Sequence, residues 1–377
     1  MKITIVLGAF LPVPPVMGGA VEKVWLTLAQ EFARLGHEVT IVSRAVAQFP
    51  RREMVNGVRH IRIRGFDTPR SLLWLKFLDL IYSFRALPVL PPADILVTNT
   101  FWLPVLSRSA KRGRIYVHVA RYPKGQMRFY GRAARLQAPS KAVANAIANE
   151  APALARKISV VPYPAPSPLA QSAPAGVAER NKIILYVGRV HPEKGVHLLV
   201  SAFAAGARTV FAEWSLMIVG PTEERFGGGG ESYLASLKRS ADAGADRVKF
   251  AGGVFHPGEL EKTYRVARLF VYPSLAERGE SFGLAPLEAM THGCAVLVSD
   301  LACFHDFIRE GETGFIFDHR AEEPVRILGN EMENITKNET LLARVADAGY
   351  RKSGEYALPR VAEQFLSDFK SVCNSEL

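Results

Sequence analysis

Residues 1–44 read MKITIVLGAFLPVPPVMGGAVEKVWLTLAQEFARLGHEVTIVSR, and the order of patterns in them decides the fold class. The apolar run Ile3 to Leu7, broken only by Thr4, fits a strand buried on both faces. A loop holding Pro12, Pro14, Pro15, Gly18 and Gly19 follows it. Val21, Val24, Trp25, Leu28, Ala29 and Phe32 then recur at helical spacing, which predicts a helix over 20–35 ended by Gly36. HEVTIVSR resumes as a strand. Strand, helix and strand joined by such short connections form the βαβ unit of a parallel sheet.

Further strands are expected at 58–64, 94–98 and 114–119, with helices around 71–86, 102–112 and 140–150. Residues 162–181 (PYPAPSPLAQSAPAGVAERN) hold five prolines and no strand pattern, so the linker is placed at 166–181. Beyond it the pattern restarts: IILYVGRV, SLMIVGP, VKFAGGV, LFVYPS and AVLVSD alternate with helical stretches near 195–207, 231–243, 257–266 and from 286. The chain thus reads as α/β, with two tandem Rossmann-like doubly wound domains over 1–165 and 182–358. A last helix near 359–372, in the segment 359–377, is expected to cross back to the first domain.

A chain of 377 residues with 48% apolar and 22% charged content can bury two cores of ordinary size. Cys294, Cys303 and Cys373 show no metal-ligand spacing, which argues for a reducing compartment and no metal site. The opening apolar run is too short for a signal peptide, and no stretch is long enough to span a membrane. The net charge of +11 is uneven. Residues 1–165 carry 24 Lys+Arg and 8 Asp+Glu (+16), leaving 23 (47 − 24) and 28 (36 − 8) beyond them (−5). A basic N-terminal half implies an anionic partner there.

Chemistry concentrates at 271–299, VYPSLAERGESFGLAPLEAMTHGCAVLVS. Glu280 lies in a polar turn, and Glu288 lies in a run with the composition of a helix's first turns. Ser281, Phe282, Gly283 and Leu284 fall between them, where a helix begins and its N–H groups can receive an anion. Two carboxylates for hydroxyls around a phosphate-binding helix start are what a sugar nucleotide requires. In YVGRVHPEKG (186–195), Arg189 and Lys194 follow a strand directly, a fork-shaped cation and a point cation suited to a diphosphate. Gly18 and Gly19 admit close approach of backbone to phosphate, although a tight turn explains them equally well. His118 ends the strand RIYVHVAR, either as a structural histidine or to hydrogen-bond a donor-sugar hydroxyl or orient the acceptor.

Residues 71–86, SLLWLKFLDLIYSFRA, form a greasy helix. It reads either as a core helix with one wet edge or as an interfacial element. The second reading places it beside Arg108, Lys111, Arg112, Arg114, Arg121, Lys124, Arg128, Arg132 and Arg135 against anionic lipid. No nucleic-acid-binding module accompanies the charge, so nucleic acid is not expected as a partner.

Taken together, YVGRVHPEKG (186–195), FAGGVFHPGEL (250–260), ESFGLAPLEAMTHGCAVLVSD (280–300) and EGETGFIF (310–317) resemble the retaining family 4 glycosyltransferases of the GT-B fold. MGGAVEKV (17–24), residues 32–43 and His118 extend the likeness more loosely into the first half. The resemblance implies two domains facing a central cleft, the first binding acceptor and the second the nucleotide sugar. It implies that Glu280 holds donor-sugar hydroxyls, that Phe282 to Leu284 contact phosphate or sugar through backbone, and that Glu288 binds the ribose. Arg189 and Lys194 would neutralise the diphosphate, Gly19 would let the first domain close on it, and Val254 and Phe255 would border the base. No metal or cofactor is implied, the two cations standing in for one.

Three features depart from the family pattern: Pro162, Tyr163 and Pro164 replace an Asn-Gly turn, AERG (276–279) enlarges the loop before Glu280, and LACFHDFI (301–308) replaces a glycine-rich turn. Arg278 in that enlarged loop would add a donor or acceptor contact. The expected activity is transfer of a hexose from a UDP- or GDP-sugar to a saccharide or lipid-linked acceptor, for cell-surface polysaccharide or glycolipid. Its expected place is the cytoplasm or the inner face of the membrane. A non-catalytic sugar-nucleotide or membrane-binding module on the same scaffold is the alternative. A nicotinamide oxidoreductase is more distant, since no GxGxxG follows either first strand.

Overall fold

The computed structural model describes residues 1–69, 71–166, 174–254 and 257–374. It divides into two compact units, one of Met1–Pro164 with the chain from Leu358 onward, the other of Ala165–Ala357. Among the described residues no helix is long and apolar enough to cross a membrane.

The first unit is built on β1 (Lys2–Val6), α1 (Ala20–Arg34), β2 (Glu38–Arg44), β3 (Arg52–Val55), β4 (Val58–Ile63), α2 (Leu72–Ala86), β5 (Ile95–Thr98), α3 (Leu103–Leu106), β6 (Arg114–His118), β7 (Arg135–Ala138), α4 (Lys141–Glu150) and β8 (Ile158–Val160). The sheet order is β3-β4-β2-β1-β5-β6-β7-β8. Every pairing is parallel except β3 with β4, a hairpin turned at Asn56 and Gly57, both at positive φ. The helix expected over 102–112 shrinks to the four residues of α3 and a separate 3-10 turn at Ala110–Arg112, with Ser107 extended between them.

The second unit carries β9 (Asn181–Val187), α5 (Val196–Gly206), β10 (Ser215–Val219), α6 (Gly230–Ser240), β11 (Val248–Gly252), α7 (Pro257–Val266), β12 (Ala267–Tyr272), α8 (Leu284–Thr291), β13 (Ala295–Ser299), β14 (Phe315–Phe317), α9 (Pro324–Lys337) and α10 (Glu339–Ser353). Its six strands are all parallel, in the order β11-β10-β9-β12-β13-β14. Two largely parallel α/β sheets with helical crossovers agree with the two tandem doubly wound domains that the patterning predicts.

The last helix, α11 (Leu358–Asn374), belongs to the first unit. Phe369 packs on Tyr116 and Phe32, and Phe365 packs on Trp25, at centroid distances of 4.8, 5.8 and 5.2 Å. Asp368 accepts hydrogen bonds from Tyr116 and Ser159 at 2.7 Å each and pairs with Arg135 at 2.9 Å. Arg135 is thereby committed inside its own unit rather than to a free basic face.

α2 inverts the usual helix polarity. Its inward residues are Asp79, Tyr82, Ser83 and Ala86, while Leu72, Leu73, Trp74, Phe77 and Phe84 are exposed. Asp79 explains the inward face: its carboxylate accepts the N–H groups of Phe101 and Trp102 at 3.0 and 3.1 Å, fastening the helix to the loop after β5. Burial pushes that carboxyl up to about 6 despite these bonds.

Candidate active site

In the second unit the sheet reverses its build direction between β9 and β12, and open α/β sheets bind ligands beyond the carboxyl ends at that point. Both stretches singled out in the sequence emerge there. The loop with Arg189 and Lys194 follows β9, and the loop with Glu280 follows β12. They are locked together, because Leu275 N–H donates to the Glu193 carbonyl at 2.8 Å. Gly195 is obligatory at this junction. Its φ is +66°, and a Cβ would lie 1.9 Å from the Pro273 carbonyl oxygen.

The centre of the site is Glu280. Lys194 Nζ, the Tyr272 hydroxyl and Ser274 Oγ all donate to its Oε2, at 2.6, 3.2 and 3.3 Å. Lys194 and Glu280 side chains are only 8% and 13% exposed, so this ion pair is shielded from water. Among the described residues no donor reaches Oε1. Lys194 Nζ also lies 5.7 Å from the centroid of the Tyr272 ring. Burial, then the Glu280 charge, raise the Tyr272 phenol far above its ordinary range, so it remains a protonated donor.

Arg189 is held more loosely. It donates to Glu193 Oε1 at 2.5 Å and to the Gly227 carbonyl at 2.8 Å, with its side chain 42% exposed. An ion pair this open contributes little and is exchangeable for another anion. Its backbone carbonyl accepts from the Tyr186 hydroxyl at 2.8 Å. Tyr186 in turn stacks on Tyr272, 5.8 Å between centroids and 9° between planes.

α8 begins beside this cluster in the chain. Its N-cap, Gly283, has φ +100°, and a Cβ there would meet the Phe304 ring at 2.6 Å. Its N-cap residue offers no side chain to cap it, and the first-turn N–H groups lie at the positive end of the dipole. Phe282 is buried, its ring against Phe307 and Tyr356, which leaves backbone rather than side chain for a ligand. Ser281 and Leu284 are half-buried at the same turn. Glu288 lies in the second turn, 8% exposed, and accepts from the Tyr264 hydroxyl at 3.4 Å. The loop before Glu280 is pinned from β14's exit: Glu277 accepts from His319 at 2.9 Å and from Arg320 Nε at 2.8 Å. Arg278 remains exposed at its tip.

The other expected positions fall on other elements. Val254 is half-buried just beyond β11, the edge strand, while Phe255 lies outside the described residues. Gly18 and Gly19 belong to the first unit, in the loop from β1 to α1, at φ +80° and +116°. A Cβ on Gly19 would meet Glu22 Oε2 at 2.3 Å.

His118, also in the first unit, is 2% exposed with both ring nitrogens engaged. Nδ1 bonds Gln137 Oε1 at 2.5 Å and Nε2 bonds the Tyr163 hydroxyl at 3.0 Å. Burial lowers its pKa to about 4, so the ring is neutral. Tyr163 is one of the residues replacing the family's Asn-Gly turn, and here it serves as His118's partner.

Tyr186, Glu193, Tyr272 and Ser274 were not anticipated from the sequence. The available signal was a tyrosine near the carboxyl end of each of two apolar strands that flank a switch point.

A family model described as glycosyl transferases group 1 matches residues 170–352, and one described as glycosyltransferase family 4 matches residues 17–165. Lipopolysaccharide 1,2-N-acetylglucosaminetransferase of Salmonella typhimurium is 35% identical over 39% of the chain and 36% of its own length. Phosphatidyl-myo-inositol mannosyltransferase of Mycobacterium leprae is 29% identical over 54% of the chain and 51% of its own length. The chain thus matches about a third to a half of the length of these curated relatives. Among solved structures, sucrose-phosphate synthase of Thermosynechococcus elongatus aligns with a TM-score of 0.76 at 19% identity, covering 99% of both chains. Anabaena HepE, in complex with UDP and glucose, aligns at 0.72 and 17% identity, over 98% of this chain and 100% of its own. At such identities these likenesses carry the fold.

Proposed function

The chain belongs to the family 4 glycosyltransferases, and from that premise we propose that it moves a hexose, with retention and without a metal, from a UDP- or GDP-sugar to a saccharide or lipid-linked acceptor. The observation that carries the proposal is the Glu280 carboxylate, held on one oxygen by three donors, the Lys194 ammonium among them, at the sheet's switch point. In this reading Glu280 Oε1 accepts from donor-sugar hydroxyls. The start of α8, with Ser281, Phe282, Gly283 and Leu284, receives phosphate through backbone N–H groups. Arg189 and Lys194 meet the charge that grows on the departing diphosphate, which stabilises the transition state more than the ground state. Glu288 binds ribose hydroxyls, and Val254 with Phe255 borders the base. The first unit carries the acceptor, with Gly18 and Gly19 giving its backbone close approach to the donor. His118, engaged on both nitrogens, acts by positioning unless a sugar hydroxyl displaces Tyr163. The names of the relatives quoted above favour a cell-surface glycolipid or polysaccharide product.

Calorimetric titration with UDP, GDP, ADP and their hexoses tests the assignment and names the donor. Glu288→Gln should weaken binding of the bare nucleoside diphosphate by about 1.5–3 kcal/mol, the range for charge-assisted hydrogen bonds. An unchanged Kd would remove Glu288 from the ribose.

The exposed face of α2 supports docking to anionic lipid from the cytoplasmic side. Leu73 and Trp74 are 81% and 58% exposed, Phe129 adds to the aromatic surface, and Lys76 and Arg128 lie over the rings of Phe101 and Phe129. Sedimentation with anionic vesicles is expected to capture the protein in a salt-sensitive way. Trp74→Glu with Phe77→Glu should abolish capture, and indifference to both lipid charge and salt would refute the docking idea.

A further inference from the structure

Three donors converge on one oxygen of Glu280, although only one of them, Lys194, carries a charge. From this convergence we propose that Tyr272 is a positioning residue for sugar transfer: its hydroxyl, with Ser274, fixes the Glu280 carboxylate so that Oε1 faces the donor sugar. The inference rests on the assignment of Glu280 to the donor sugar.

A carboxylate bound by lysine alone can rotate about its last torsion and present either oxygen, because an ammonium is a point charge without directional preference. Two hydroxyls approaching the same oxygen remove that freedom. They come from the end of β12 and the residues just beyond it, and the carbonyl of Ser274 is itself held by Ser299 Oγ at 2.6 Å. Tyr272 is 5% exposed and its ring stacks with Tyr186 and, at 6.1 Å and 12°, with Phe270. A ring so confined delivers its hydroxyl to one place. The stack also links the two halves of the site, because Tyr186 holds the Arg189 carbonyl while Tyr272 holds Glu280. Preorganisation of this kind lowers the cost of arranging hydrogen bonds at the moment of reaction.

Tyr272→Phe tests the inference, since it keeps both stacks and the ring beneath Lys194 while deleting one hydroxyl. Calorimetry with the bare nucleoside diphosphate and with the matching nucleotide sugar is run beside the transfer assay. The expected result is an unchanged Kd for the diphosphate, within about twofold, and about a tenfold loss in nucleotide-sugar affinity and kcat/KM. In a Glu280→Ala background the same change should have no further effect on nucleotide-sugar binding. Ser274→Ala provides an independent variant with the same expected split should Tyr272→Phe fail to fold. Normal transfer by Tyr272→Phe, or equal losses for diphosphate and nucleotide sugar, would overturn the proposal. Normal transfer by Glu280→Ala would instead overturn the site assignment on which it rests.

Discussion

Glu280→Ala is expected to lower sugar transfer by on the order of 10³-fold while nucleoside-diphosphate binding persists. Removing one preorganised partner of the transition state costs about 10²–10³ in rate, and here the loss also releases Lys194 from its fixed position. The Lys194 ammonium, no longer neutralised at 2.6 Å by Glu280, becomes more available to phosphate. The variant should therefore bind bare diphosphate as tightly as the parent or more so, a sign that general damage to the fold would not produce. Glu280→Gln keeps the shape of the side chain and should be similarly impaired in transfer. Steady-state transfer and calorimetry on the same preparations check both statements. A Glu280→Ala protein with normal turnover would remove the residue from the donor site.

The second large effect separates the two cations. Lys194→Met should slow transfer by about 10²–10³ through loss of charge at the leaving diphosphate. It should also cost about 3–5 kcal/mol of stability, because breaking a buried pair strands the remaining charge. The Tyr272 and Ser274 hydroxyls that stay on Glu280 place the expected value at the lower end. Arg189→Ala should slow transfer to a similar degree yet leave Tm nearly unchanged, since its pair with Glu193 is 42% and 41% exposed. Thermal melts beside kinetics give the contrast. Equal melting losses for both variants, or normal turnover by either, would contradict the assignment.

Much of the scaffold was legible because buried parallel strands announce themselves as apolar runs and their crossovers as helical periodicity. The strands from β1 to β6 that carry such runs, and β9 to β13, were all marked in this way. β3 was missed because its residues, Arg52 to Val55, form an exposed antiparallel edge strand without a buried face. The Asn56–Gly57 turn was the available hairpin signal. α2 was recognised as a helix, but its orientation was not. Nothing local reveals that Asp79 would face inward to cap the loop after β5 and so turn Trp74 and Phe77 outward.

For the proposed site, Arg189, Lys194, Glu280 and Glu288 were singled out as candidates from residue type and from their position after a strand or at a helix start. Their partners were not, because hydrogen bonds from Tyr272 to Glu280 and from Tyr186 to Arg189 depend on strand register and side-chain direction. His118 shows the same limit from the other side. Its position at a strand's carboxyl end suited a ligand contact, yet Gln137 and Tyr163, distant in sequence, occupy both nitrogens.

A metal-free diphosphate-sugar site has a direct consequence for turnover in the presence of a chelator. The protein is incubated with UDP-, GDP- and ADP-hexoses in excess EDTA, with saccharide and lipid acceptors, while released nucleoside diphosphate and the product's anomeric proton are followed by NMR. Release is expected with one nucleotide sugar, undiminished by EDTA, together with a product that keeps the donor's anomeric configuration. Turnover that requires added divalent metal, or a product of inverted configuration, would contradict it.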